Sequence, residues 1–278
     1  MLSEAKPALK PDIREAKGNP NRGQMQKPVL VAGLFFCHLS FFLFKLELDY
    51  MEMRDYKAIL SDIESRIGNA RLMAVSKTRT IEEIMAVYDA GCRLFGENHV
   101  QEIVAKFPTK PVDLELHMIG HLQSNKVNKV VPLVDMIESV DSLSLLGKIN
   151  NAAERAGKVM DVLLEVNTSK EEAKSGFLNK EDVFACIEAS GLMKNVRIRG
   201  LMTVGPVDCD PAQKDELTDE AFKELVSLRD ECCKRFPDVD FGILSMGMSG
   251  DYMIGVANGS TEVRIGTAIF GPRDYGQK

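Results

Sequence analysis

The sequence predicts an α/β protein: a single (β/α)8 barrel of the TIM type, with an extra helix before the first strand. Three observations predict it. From about residue 50, eight short apolar runs rich in β-branched residues alternate with seven stretches of helical period. Each intervening stretch is long enough for the crossover that parallel neighbours require. The C-terminal ends of the eight runs collect small and polar residues, reading SK, GEN, IGH, VDS, VNTS, LMT, SMGMS and RIGT. In such barrels that rim is the working face, and a barrel kept for stability alone does not need those groups there. An open doubly wound sheet is the structural alternative, but eight regular units without a long insert favour closure. The length of 278 residues suits one barrel of about 250 residues.

The elements follow in order. A helix over 50–67, YMEMRDYKAILSDIESRI, is expected outside the barrel. Strands are expected over 71–77 (RLMAVSK), 92–98 (CRLFGEN), 114–120 (LELHMIG), 136–141 (MIESVD), 161–167 (DVLLEVN), 197–203 (RIRGLMT), 241–247 (FGILSMG) and 262–270 (EVRIGTAIF). Between them, IEEIMAVYDAG, HVQEIVAKF, LQSNKVNKVV, SLSLLGKINNAAERAG, KEDVFACIEASG, ELTDEAFKELVSLRDECCKRF and SGDYMIGVANG read as helices.

Hydrophobic residues make up 45% and charged residues 27%, as in an ordinary soluble globular protein. The net charge is −6 and no long basic run occurs, so a nucleic-acid partner is not expected. The six cysteines, Cys37, Cys92, Cys186, Cys209, Cys232 and Cys233, form no CxxC pair, and no histidine cluster lies at zinc spacing near them. Free thiols in a reducing, cytoplasmic compartment are the expectation.

Residues 1–48 differ from residues 49–278, which hold the barrel. Residues 1–28 are rich in Lys, Pro, Asn and Gly and read as disordered. Residues 29–44, VLVAGLFFCHLSFFLF, form an apolar run of 16, short of the roughly 20 residues that span a membrane. Basic residues precede it, as in a signal peptide, but no small-residue cleavage site follows. A signal anchor, a membrane tether and an upstream start codon are the readings. The upstream start or a dispensable extension is preferred, with Met51 or Met53 as the natural start, and membrane association is not expected. The seven basic and four acidic residues of the extension leave −9 for residues 49–278.

The chemistry gathers at the predicted rim. Lys77 ends the first strand, where its amine points into the barrel mouth. Partial desolvation lowers an ammonium's pKa, and the neutral amine can attack a carbonyl; a solvated rim lysine is the plain alternative. SMGMSGDY, residues 245–252, follows the seventh strand, and RIGT, residues 264–267, lies on the eighth. The small residues let backbone N–H groups approach an anion, and Ser249 can cap the next helix. Either stretch alone reads as a tight turn; on adjacent strands they point to a phosphate site, the usual one in these barrels. Arg264 is two residues before Gly266, so both face the barrel interior, where a structural ion pair is the other reading. His117 and His121 are four apart, but a strand and Gly120 separate them, so a shared metal is not expected. Asn98 and His121 are expected to line the mouth. No GxSxG, HExxH, Walker loop or GxGxxG is present.

The motifs MAVSKT, FGENHVQE, HMIGHLQSNK, VDS, LLEVNTSKEEAKSGF, RGLMTVGP, LSMGMSGDY and EVRIGTAIFG occur in this order from about residue 53 to 272. In this the chain resembles the YggS/PROSC family, the pyridoxal phosphate (PLP) homeostasis proteins. The resemblance does not cover residues 1–48. It implies the barrel of the alanine racemase N-terminal domain, with pyridoxal 5'-phosphate held as a Schiff base on Lys77. It further implies that Ser245, Ser249, Gly266 and Thr267 hold the phosphate, that Arg264 faces the pyridine nitrogen and Asn98 the ring, and that Met202 and Met246 pack on the ring. Leu116 departs from the family, which often has Trp before the histidine; an effect on packing only is expected.

Two functions of different classes remain. One is a non-catalytic carrier that buffers PLP and delivers it to PLP-dependent apoenzymes. The other is a PLP-dependent amino-acid racemase-like enzyme. Racemases of this kind add a β-rich domain supplying a catalytic tyrosine, for which no space is expected after strand eight. A racemase needs acid–base groups on both faces of its substrate, and beyond Lys77 only Tyr252 suggests itself near the phosphate loop. A Schiff-base aldolase on a sugar phosphate fits the lysine and the phosphate loops equally well, and only the resemblance demotes it.

Overall fold

A computed structural model describes residues 54–272. The extension expected over residues 1–48, and the first residues of the helix expected over 50–67, lie outside the described residues. Eight parallel strands run β1 (Arg71–Val75), β2 (Leu94–Glu97), β3 (Glu115–Met118), β4 (Met136–Val140), β5 (Met160–Glu165), β6 (Val196–Met202), β7 (Ile243–Met248) and β8 (Glu262–Ile265). They close in sequence order, and β8 pairs back onto β1.

The helices are α1 (Tyr56–Ile67), α2 (Ile81–Asp89), α3 (Val100–Lys106), α4 (Val127–Val130), α5 (Leu143–Arg155), α6 (Lys180–Ser190), α7 (Lys214–Arg235), α8 (Tyr252–Ala257) and α9 (Thr267–Phe270). Their starts are written locally. Asp55 accepts from Ala58 N at the head of α1, and Thr80 and Glu83 form a reciprocal capping box on α2. Ser142 and Asn179 cap α5 and α6. Helix α1 buries Tyr56, Leu60, Ile63 and Ile67, spaced by fours and threes so that they share one face. Arg54 Nε donates to Ile269 O at 2.7 Å, and the Tyr56 and Phe270 rings meet edge-on at 6.3 Å. The extra helix therefore packs beside α9.

Two elements differ from expectation. The strand expected over 262–270 stops at Ile265, and its second half is helix α9. Gly266 turns the chain (φ −110°, ψ −76°), and Phe270 N donates back to Gly266 O. A short apolar run fits a strand or one helical turn equally, so periodicity could not separate them. The helix expected in LQSNKVNKVV is a 3₁₀ turn, Ser124–Lys126, followed by the single turn α4.

The core has two layers. A continuous apolar layer between sheet and helices is built from outward-facing strand residues such as Ala74, Phe95, Leu116, Ile137 and Leu244, and it includes Phe222 of α7. Inside the barrel Met136, Leu163 and Met202 pack together with half-buried Val204 and Ile243. The rest of the interior is unusual, because branched apolar residues normally fill it. His117, Glu138, Ser245, Glu262 and Arg264 are all buried there. Among the described residues no helix is long and apolar enough to cross a membrane.

Candidate cofactor site

Lys77 stands two residues beyond the end of β1, half-buried. Met73 is in register with inward-facing Arg264, so the period of two puts Met73 and Val75 on the inner face, and the chain turns at Lys77 just past them. The backbone on either side of Lys77 is clamped. Ser76 Oγ donates to Glu97 Oε1 at 2.7 Å. Lys106 Nζ, on α3, donates to Ser76 O and Glu97 Oε1, both at 2.9 Å, and to Glu102 Oε2 at 2.6 Å. Thr78 N donates to Glu102 Oε2 at 2.7 Å, and Thr78 has φ +65°, a conformation that costs a β-branched residue energy. Burial raises the carboxyl pKa of Glu97 against the pull of Lys106 and Ser76. For Glu102, the hydrogen bonds from Lys106 and Thr78 outweigh burial and lower it.

Beside the end of β1, Ser249 Oγ accepts from Gly266 N at 3.1 Å and from Ala268 N at 3.5 Å, drawing the loops after β7 and β8 together. Gly247 has φ +101°, and a Cβ there would lie 2.8 Å from Tyr252 Cα, so the β7 loop needs glycine to fold back on α8. Asp251 Oδ1 accepts from Met248 N at 2.5 Å and fixes the loop. Thr267 is exposed at the first position of α9.

Arg264 points into the barrel, donating to Ser245 Oγ at 2.6 Å and Thr203 O at 2.7 Å. Ser245 Oγ in turn donates to Glu138 Oε2 at 2.6 Å. His117 Nδ1 meets Glu138 Oε1 at 2.6 Å, and its Nε2 meets Glu115 Oε1 at 2.8 Å. Glu115 pairs with Arg71 at the opposite end of the barrel. Burial alone would lower the pKa of His117, but its hydrogen bonds to Glu115 and Glu138, with nearby Glu262, hold it up at about 10. The hydrogen bond from His117 leads in lowering Glu115 to about 2. Burial, reinforced by the charge of Glu138, raises Glu262 to about 8.

Asn98 Oδ1 is buried at the mouth with no hydrogen-bond partner, and so is Glu165 Oε2 at the end of β5. Asn98 and His121 border one depression of about 270 Å³. A Cβ on Gly120 would lie 2.3 Å from Asn98 O, so glycine is what lets the end of β3 pass this backbone. His121 is exposed on the rim, 3.0 Å from Ser175 Oγ and 3.3 Å from Asp141 Oδ2, whereas His117 is sealed inside. The two histidines do not converge. Burial, then the charge of Asp141, raises Glu165 to about 7 against the pull of Arg264 and Lys174.

A raised carboxylate is a cost that grows as pH climbs from the unfolded value, near 4.3, through the folded one. Glu165→Gln is therefore expected to be more stable than the parent at pH 8, by up to about 3 kcal/mol, and equal near pH 4. Urea titrations at both pH values check this, and equal stability at pH 8 would show Glu165 to be solvated.

Lys77, Asn98, Ser249, Arg264, Gly266 and Thr267 thus gather at the mouth or the interior just below it. Two assignments change. Met246 is on the face of β7 opposite Ser245, packed in the sheet–helix layer, because neighbours along a strand alternate. Ser245 is fully buried with its hydroxyl engaged by Glu138 and Arg264, which suits supporting the arginine rather than binding phosphate. Met202 belongs to the inner apolar layer. Sequence reasoning missed Glu97, Glu138, Glu165 and Glu262. The signal was present, since each is a carboxylate inside a strand covered on both faces, where apolar residues are the rule.

These residues fit PLP: a lysine amine for the aldehyde, N–H groups on the loops after β7 and β8 for the phosphate, and an orphaned Asn98 amide oxygen for a polar group on the ring. Comparisons with known proteins agree. The family model described as alanine racemase, N-terminal domain, matches residues 55–274. A pyridoxal phosphate homeostasis protein of Pasteurella multocida is 39% identical over 210 residues, covering 74% of this chain and 87% of its own. The human pyridoxal phosphate homeostasis protein is 40% identical over 218 residues, covering 75% and 78%. PipY of Synechococcus elongatus, solved without PLP and with PLP bound, superposes with TM-scores of 0.73 and 0.70 at 34% identity, over 78% of this chain and 100% of PipY. The chain belongs to the alanine racemase N-terminal domain family and, within it, to the pyridoxal phosphate homeostasis proteins.

Proposed function

We propose that this chain is a non-catalytic carrier of pyridoxal 5'-phosphate, which it holds as a Schiff base on Lys77 and passes to PLP-dependent apoenzymes in the cytoplasm. The observation that carries the reading is Lys77, its backbone clamped on both sides, at the end of β1 beside the joined loops after β7 and β8. PLP supplies an aldehyde that condenses with an amine and a phosphate that backbone N–H groups can hold. Ser249, Gly266 and Thr267 serve the phosphate, Asn98 the ring, and Arg264 the pyridine nitrogen. PipY, solved with PLP bound, is a relative of the same length of barrel. The cytoplasmic placement is supported by Cys92, Cys186, Cys209, Cys232 and Cys233, all free thiols.

Glu165 favours a second reading. A carboxyl pushed up to about 7 at the mouth is an acid–base group of the kind a racemase-like enzyme needs. One experiment separates the two. The purified full chain is expected to be yellow, borohydride is expected to fix one phosphopyridoxyl group on Lys77, and Lys77→Ala should lose both signals. Alanine and serine should turn over far below the 1–10³ per second typical of enzymes, roughly. A label on another lysine sinks the site; turnover in that range sinks the carrier reading.

A further inference from the structure

We infer that His117, Glu138 and Glu262 form a binding site for one divalent transition-metal cation, best matched by Zn²⁺, inside the barrel below Arg264. The three residues come from β3, β4 and β8, and all are fully buried. One ligand atom from each lies within 4.8 Å of the others. His117 Nδ1 is 2.6 Å from Glu138 Oε1 and 4.0 Å from Glu262 Oε1. A tetrahedral Zn²⁺ with bonds of about 2.0–2.1 Å holds its ligand atoms about 3.4 Å apart. The observed separations bracket that value, so a small rotation of Glu138 and Glu262 completes the site.

Two further observations point to a ligand. Neither carboxylate oxygen of Glu262 accepts a hydrogen bond, although the residue is fully buried. Arg71 approaches Glu262 Oε2 to 3.6 Å but spends its hydrogen bond on Glu115. Leaving a buried carboxylate without a partner is costly, and a cation removes that cost. The second observation is Glu115, whose Oε1 lies 2.8 Å from His117 Nε2. A carboxylate on the far nitrogen is the arrangement that orients metal-binding imidazoles, and it leaves Nδ1 as the donor atom. The other oxygen of Glu138 is held by Ser245, so Oε1, which meets only His117 Nδ1, is the one a cation would take once it displaces that proton.

One nitrogen and two carboxylate oxygens, with water in the fourth position, suit Zn²⁺ better than Mg²⁺ or Ca²⁺, which prefer all-oxygen shells. Entry is from the strand N-terminal face, where the Arg71 and Glu115 side chains are 43% and 37% exposed. Binding displaces the proton between His117 Nδ1 and Glu138 and, at neutral pH, the proton held by Glu262, and both leave to solvent. The site is on the other side of Arg264 from the cofactor mouth, so its role is to tie β3, β4 and β8 together. A protonated His117 bridging the carboxylates without any metal is the competing arrangement.

The test uses the full chain, stripped with chelator, dialysed against Zn²⁺ and read by elemental analysis and X-ray absorption. One Zn²⁺ per chain is expected, with a nitrogen/oxygen shell at about 2.0–2.1 Å and no sulfur shell at about 2.3 Å. Glu262→Gln and His117→Gln are each expected to weaken Zn²⁺ binding roughly tenfold or more, whereas Cys233→Ser, at an exposed thiol, leaves it unchanged. No retained Zn²⁺, a sulfur shell, or undiminished binding in Glu262→Gln overturns the inference. If the variants fail to fold, the stoichiometry and absorption spectrum of the unsubstituted chain decide alone.

Discussion

Lys106→Met is expected to destabilise the barrel by about 3–5 kcal/mol, the usual cost of stripping a buried ion pair of one partner. The Glu97 side chain is fully buried and that of Lys106 is 13% exposed, so solvent screens the pair poorly. The change leaves Glu97 with only the hydroxyl of Ser76 and frees the Ser76 carbonyl and Glu102. Glu97→Gln in the same chain should recover most of the loss, because the uncompensated charge goes with it. The pH dependence has a definite sign. Glu97 is already raised by burial, and losing Lys106 raises it further. Its cost is present above the unfolded carboxyl pKa and fades as protonation relieves it, so the deficit should be largest at pH 8 and shrink towards pH 5. Urea unfolding at both pH values measures this. A loss below about 1 kcal/mol, as for surface pairs, would show that the clamp does not hold. The same variant should move the visible absorption of the Lys77 adduct, since the backbone on both sides of Lys77 loses an anchor.

The second large effect is expected at Arg264. Arg264→Leu removes the cation that shares Ser245 with Glu138 and leaves Thr203 O without its donor. A loss of about 3–5 kcal/mol is expected for a buried network broken at one member. Glu138→Gln in the Leu variant should return part of it, with His117 still hydrogen-bonded. The functional consequence is separate. If Arg264 meets the pyridine nitrogen as proposed, its permanent charge disfavours protonation there, and an unprotonated ring stabilises a carbanion poorly, which would suit the proposed carrier. In the Leu variant the nitrogen-15 shift of labelled cofactor should move towards the protonated value. A parent protein whose ring nitrogen is already protonated at neutral pH would refute the role of Arg264.

The barrel was legible because its units are regular: each strand of the rim announces itself by an apolar run ending in small polar residues, and the caps Asp55, Thr80, Ser142 and Asn179 are local signals. Alternation also placed Arg264 inward from sequence alone. What could not be read depends on closure. Glu97 meets Lys106 nine residues on, but Glu138 meets Ser245 across 107 residues, and no local pattern encodes that contact. The motif around Met246 names residues without saying which face each occupies, and alternation along β7 turns Met246 to the helix side. The small polar residues of VNTS mark the loop after β5 rather than Glu165 on the strand itself.

The pairing of β8 with β1 has a consequence for how other proteins can approach. A sheet closed on itself offers no row of unpaired backbone groups, so the described strands give an extended peptide no edge on which to add a strand. Within the described residues, recognition is left to side chains on the outer helices or on the loops around Lys77. A receiving apoenzyme that used those loops would cover the mouth as it docked, and release of the cargo would then be gated by contact rather than left to diffusion.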